Sequence, residues 1–155
     1  MNMATKVEGF LQQSGLEYDT LTHEHSHSSL HTAHAAHIPE EQLAKSVILE
    51  DDLGYVMAVI PASSHVKLRE LNKLLHRNMG LTTETNLAEL FNDCEAGAIP
   101  PLGQAYGLQT IVDNDLDACS DVYFESGNHE ELVHMRGDAF SQLMKKADHA
   151  SICRH

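Results

Sequence analysis

Residues 46–50, SVILE, and 55–60, YVMAVI, are two runs of β-branched and apolar residues joined by DDLG. Neither run alternates with polar residues, so neither can turn one face to water. They are expected to form a hairpin at the centre of a sheet that is covered on both faces. Gly54 lies in the turn, and Pro61 ends the second strand.

The rest of the chain supplies further strands and the helices that cover them. TKVEGFLQQSG reads as an opening helix, with Val7, Phe10 and Leu11 at helical spacing and Gly15 as its stop. LEYDTLTH is a short strand. SSLHTAHAAH is helix-like, with Ser28 or Ser29 as its cap, and Pro39 opens a short turn before Lys45. SSHVKLRELNKLLHRN is the clearest helix, with Leu68, Leu71, Leu74 and Leu75 as its buried stripe. TETNLAELF is a helix with a cap at Thr83. LQTIVD, DVYFE and ELVHMR are strands, and GDAFSQLMKKADH closes the chain as a helix. The expected class is α/β (α+β): a mixed, mostly antiparallel sheet with surrounding helices.

At 155 residues the chain suits a single domain, 1–155, with a real core. No run of about 18 apolar residues is present to span a membrane, and MNMATKVEGFLQQSG lacks the pattern of a secretory signal. Cys94, Cys119 and Cys153 are odd in number and far apart, which favours a reducing cytoplasm over a disulfide framework. Asp and Glu number 23 against 10 Lys and Arg, a formal net charge of −13. A wide nucleic-acid surface is therefore not expected, and any such partner must meet a small basic patch.

Five features carry possible chemistry. His23, His25, His27, His31, His34 and His37 form a cluster, but it lacks HExxH and an obvious third ligand, so a polar face is the plainer reading than a zinc site. Lys45 stands at the mouth of a buried strand, where a lysine either snorkels to solvent or offers a point charge to a phosphate or carboxyl group. GAIPPLG, residues 97–103, sets glycines about a rigid proline pair, with backbone N–H groups able to meet a carbonyl or oxyanion. SGNH, residues 126–129, is a turn whose His129 can serve as acid–base group or donor. Arg69, Lys73 and Arg77 recur at intervals of four, with Lys67 nearby, and make the densest basic patch. No GxSxG, P-loop or GxGxxG is present, so hydrolysis would proceed without an obvious protein nucleophile.

Taken in order, LAKSVIL, VMAVIPAS, CEAGAIPPLGQAYGLQTIVD and DVYFESGNHEELVHM resemble the YbaK/prolyl-tRNA synthetase-associated domain family. The resemblance runs from about Val7 to about Met144. Its hallmarks are a lysine opening a central strand and a Gly-x-x-x-Pro loop, matched by Lys45 and Gly97 to Pro101.

The resemblance implies a compact, partly barrel-like sheet and hydrolysis of the ester between a mischarged amino acid and the 3′ end of a tRNA, with no metal and no cofactor. Lys45 would be the essential cation and His129 a supporting catalytic group. The backbone of Gly97, Ala98, Ile99, Pro100 and Pro101 would cradle substrate, beside Ser126, Gly127, His23 and Met57. Arg69, Lys73 and Arg77 would meet the acceptor stem beyond the CCA end, and an aminoacyl-tRNA synthetase is a further expected partner. LTHEHSHSS departs from members that carry an aromatic residue there, and the acyl group stays open among Ala, Cys, Ser and other small side chains, on tRNA-Pro or a similar tRNA. A non-catalytic tRNA- or nucleotide-binding module of the same fold is the alternative, ahead of a histidine-based metal protein.

Overall fold

The fold is that of a computed structural model, which describes residues 3–24 and 29–154. Helices are α1 (Thr5–Ser14), α2 (Ser29–Ala35), α3 (Leu68–Leu75), α4 (Glu84–Leu90), α5 (Asn114–Asp117) and α6 (Gly137–Leu143). Strands are β1 (Asp19–Thr22), β2 (Leu43–Asp51), β3 (Gly54–Pro61), β4 (His65–Val66) and β5 (Gly80–Leu81). They continue with β6 (Gln109–Asp113), β7 (Asp121–Glu125), β8 (Glu131–Arg136), β9 (Asp148–Ala150) and β10 (Cys153–Arg154). Short 3₁₀ turns occupy Glu40–Gln42 and Gly103–Tyr106.

The β2–β3 hairpin is the middle of the main sheet, whose order is β1-β8-β7-β2-β3-β6-β9, with β5 also on β2. Hairpin pairings are antiparallel, whereas β2 with β7, β3 with β6 and β6 with β9 run parallel. Alternation along the strands sorts side chains into two interiors. On one face Ala44, Ile48, Met57 and Val59 pack with Val7 and Leu11 of α1 and Phe140 of α6. On the other, Leu49, Val56, Ala58 and Ile60 pack with Leu71 of α3 and Ile152. Leu43 and Leu132 pack on that same face beneath Ala33 of α2. The expectation of a hairpin buried on both faces is met.

Two expectations fail at α3. The helix stops at Leu75, because His76 turns left-handed (φ 55°). Asn72 then takes over: its side chain accepts from Met79 N–H (2.8 Å) and donates to Met79 C=O (3.1 Å), folding the chain into β5. Leu74, still inside the helix, is 51% exposed rather than part of the buried stripe. Arg77, beyond the helix, leaves the expected basic stripe altogether. Its Nε donates to Asp51 Oδ2 at 2.7 Å, its Nη2 reaches Oδ1, and Nη2 also meets the Gly54 carbonyl at 3.3 Å. Arg77 therefore fastens the tip of the β2–β3 hairpin, and its charge is already matched. Gly15 ends α1 in the left-handed region and Thr83 caps α4 through Asn86 N–H, both as expected. The helix expected over GDAFSQLMKKADH ends at Leu143, and Asp148–Ala150, partly within that stretch, forms the edge strand β9 instead; the short α5 is an added element.

The guanidinium of Arg77 holds the Asp51 carboxyl down at about 2. A depressed carboxyl stabilises the fold above its unfolded value of about 4 and loses that contribution as pH falls through the folded value. Arg77→Met is expected to lower the urea midpoint at pH 7, with the gap to the parent narrowing towards pH 2. An equal gap at both pH values would remove the pair from the account.

Candidate active site

The candidate site lies where β2 and β7 separate. They pair in parallel at Leu43–Tyr123 and Ala44–Phe124 and no further, while β2 runs on to Asp51. Farther along β2, the β5 strand takes over at Leu49 and Glu50. Between these contacts a stretch of β2 has lost its neighbour, at the carboxyl end of a parallel strand and at a change of partner. Open α/β sheets bind ligands at such places.

Two consecutive β2 residues serve this gap from opposite faces. Ser46 Oγ donates to the Ile99 carbonyl at 3.2 Å, so it anchors the loop 97–101 on the α1 side. Lys45 projects to the α2–α3 side, where its Nζ donates to the Ala62 carbonyl at 3.3 Å. Lys45 is half-buried, and its pKa is lowered by desolvation, which outweighs the opposing influence of Cys153. Loop and lysine are thus brought to the same split in the sheet, though not to the same face.

Within the loop, Gly97 is exposed at φ 82°, while Ala98, Pro100 and Pro101 are buried and Ile99 is partly so. Only the glycine end offers its backbone outward. A cavity of about 290 Å³ opens there, lined by Leu87 and Phe91 beside Glu95, Gly97 and Ile99. The loop is pinned to the β7–β8 turn. Glu95 N–H donates to the Gly127 carbonyl (2.7 Å), Glu95 Oε2 accepts from His129 N–H (3.0 Å), and His129 Nε2–H meets the Ala96 carbonyl. Gly127 sits at φ 110°, where a Cβ would stand 2.7 Å from Cβ of Ala4. Ser126 Oγ donates to the Glu131 carbonyl, and its own carbonyl accepts from Ala4 N–H. Ser126, Gly127 and His129 therefore shape the site from buried positions.

One buried carboxyl beside the split was not among the candidates read from the sequence. Glu125 ends β7, one residue past its last pairing with β2, as Lys45 is on the other strand. Alternation puts both on the face of Leu43 and Tyr123. Glu125 is only 4% exposed, and no hydrogen bond of ordinary geometry reaches either carboxyl oxygen among the described residues, the buried Thr32 being the neighbouring side-chain donor. Burial pushes its pKa up to about 8; Thr32 opposes this and the nearby Glu95 adds to it. A buried polar group left unsatisfied costs about 1–3 kcal/mol. The cue in the sequence was a carboxylate closing the otherwise apolar end of DVYFE.

The family model of the aminoacyl-tRNA editing domain matches residues 23–143. The chain belongs to that family. Comparison with curated proteins finds no match. Among solved structures, a hypothetical protein is 20% identical with a TM-score of 0.85, covering 96% of this chain and 99% of its own. One described as a trans-editing enzyme for prolyl-tRNA synthetase is 21% identical with a TM-score of 0.81, covering 98% and 97%. A signal transduction protein from Marinobacter aquaeolei VT8 is 22% identical with a TM-score of 0.81, covering 99% of this chain and 31% of its own. At such identities these structures establish the shared mixed α/β fold.

In this editing domain, His23 follows β1, donates its N–H to the Glu130 carbonyl (2.9 Å), and so borders the same turn. Met57 has no exposed surface; it lies in the core against Gly103, on the face opposite Lys45. Arg69 and Lys73 are exposed on α3. His31, His34 and His37 are exposed, and His25, His27 and Ser28 lie outside the described residues. The one group of three close ligand atoms among the described residues is Asp113, Asp115 and Cys153. There Asp113 is occupied in receiving N–H groups of Asp115, Ile152 and Cys153. Burial pushes the Cys94 thiol up to about 12 and that of Cys153 to about 11, and it raises Cys119 as well. None is an activated thiolate. No described helix is long and apolar enough to cross a membrane.

The raised Glu125 pKa has a consequence for stability. Its neutral form is favoured by folding, so its contribution is full below the unfolded value of about 4.3 and is lost as pH rises through about 8. Glu125→Gln removes that titration. Relative to the parent, the variant is expected to gain at least about 1 kcal/mol between pH 5 and pH 9, read from chemical denaturation. A constant difference across this range would contradict the assignment.

Proposed function

We propose that this editing domain is a trans-acting deacylase, which hydrolyses the ester joining a small amino acid to the 3′ end of a mischarged tRNA. The observation that carries the reading is the half-buried Lys45 at the split between β2 and β7, next to the Ser46 that holds the Gly97–Pro101 loop. A cation kept out of bulk water acts strongly on nearby negative charge.

In the reaction, water attacks the acyl carbon and the bond from that carbon to the terminal ribose oxygen breaks. The water gives up a proton and the ribose oxygen takes one, leaving free amino acid and tRNA. Charge builds on the acyl oxygen as the tetrahedral intermediate forms. Lys45 is the group we assign to that charge or to the adjacent phosphate, and the backbone about Gly97 to the cradle of the terminal nucleoside. His129 holds loop and turn together through Ala96 and Glu95, so its role is positioning. Absence of an activated cysteine agrees with direct attack by water. The exposed Arg69 and Lys73 are assigned to the acceptor stem; Arg77 is not, since Asp51 neutralises it. An aminoacyl-tRNA synthetase is a natural partner for an enzyme that takes its mischarged product.

Single-turnover deacylation of alanyl-, cysteinyl- and seryl-tRNA tests this. Lys45→Ala is expected to cut the rate about 100-fold or more, the usual cost of losing a charge-stabilising donor. Binding without release of any amino acid by the parent protein would make it a tRNA-binding module instead. Arg69→Ala and Lys73→Ala are expected to weaken tRNA binding at low salt and flatten the log K against log salt slope by about 1 each. An unchanged slope would take α3 out of the interface.

A further inference from the structure

Nothing in the reaction above uses Glu125, yet it is the most unusual polar group near the split. It closes β7 directly before the Ser126–His129 turn, and it stands across from Lys45 one step beyond the last β2–β7 pair. Leu132 is its partner on β8, and α2 covers this face with the buried Thr32 and Ala33. At 4% exposure, with no hydrogen bond of ordinary geometry to either oxygen among the described residues and Thr32 as the neighbouring donor, the carboxyl keeps hydrogen-bonding capacity that its surroundings do not use up. A buried carboxyl whose hydrogen-bonding capacity is only partly met is disfavoured by folding, so a ligand group that completes it would be favoured there.

We propose that Glu125 is the polar end of the acyl pocket and selects an aminoacyl ester whose side chain bears a hydroxyl, seryl before alanyl. This rests on the deacylase reading and names its substrate class. The ligand's chemistry follows from the state of the carboxyl. Held neutral by burial, it has one O–H to donate and a carbonyl oxygen to accept. A hydroxyl matches both, whereas the methyl of alanine matches neither. The α-ammonium would match an ionised carboxylate, but every aminoacyl ester carries it, so pairing there would discriminate against none. A pocket built to hydrogen-bond a hydroxyl rejects the analogue that lacks it far more strongly than an apolar pocket rejects a methylene. The approach is from the gap between β2 and β7, where the acyl group would pass Lys45 before its side chain reaches Glu125.

The test is the ratio of kcat/KM for seryl over alanyl esters of one tRNA, in the parent, Glu125→Gln and Glu125→Val. The parent is expected to favour the seryl ester by at least about 10-fold. Glu125→Gln, which still donates and accepts, should keep most of that preference, and Glu125→Val should bring the ratio towards one. Parallel calorimetry with non-hydrolysable 3′-seryl and 3′-alanyl amides of adenosine needs no turnover. If no ester is cleaved, the deacylase reading fails, and the amide ratio alone then judges Glu125: a preference abolished by Glu125→Val supports it. A ratio near one in the parent, or one that Glu125→Val leaves intact while the variant melts as a folded protein, overturns the proposal.

Discussion

Everything distinctive here follows from the parting of two parallel strands. β2 and β7 share the pairs Leu43–Tyr123 and Ala44–Phe124, and then each takes other company. Had they stayed zipped, Lys45 and Glu125 would be ordinary sheet residues with backbone neighbours on both sides. Their separation needs other partners for the freed backbone and side chains. The loop 97–101 takes up the hydroxyl of Ser46, and the β7–β8 turn is bonded to the same loop through Glu95 and His129. One interruption in a ladder thus sets a cation and a buried acid on one face of the sheet and a stiff glycine-ended loop on the other.

Most of the fold could be read from periodicity, because its strongest elements are doubly buried. The SVILE and YVMAVI runs have no polar phase, and the hairpin they form is the middle of the sheet. Where side-chain hydrogen bonds overrule helical spacing, the pattern misled. RELNKLLHRN keeps a leucine stripe to Leu75, yet Asn72 bonds both backbone groups of Met79 and turns the chain away. Nothing in the spacing of Arg69, Lys73 and Arg77 reveals that the third is spoken for by an aspartate on a distant hairpin.

The candidate site was legible only in part, and for a physical reason. Lys45 and the glycine–proline loop are each ordinary by composition; what marks them is their meeting, and a meeting of segments about fifty residues apart is a tertiary fact. Even then, adjacent positions on a strand point to opposite faces, so Lys45 and the loop bound to Ser46 flank the split rather than stack upon each other. Met57 shows the converse limit: it is an apolar strand residue close to the hallmark loop, and it belongs to the core. Glu125 was passed over because an acid at a strand end reads as solvent-facing, while α2, arriving from nearly a hundred residues earlier, buries it.

The central claim is that substrate enters at this split. It is tested most directly by titrating isotope-labelled protein with a non-hydrolysable 3′-aminoacylamide of adenosine and following backbone amide shifts. The account predicts changes concentrated at Lys45 and Ser46, at residues 96–99 and at residues 125–129. The larger cavity, about 530 Å³ and lined by Tyr18, His134 and Gln142 among others, includes none of these residues. Shifts confined to that cavity, with Lys45 and its neighbours silent, would contradict it.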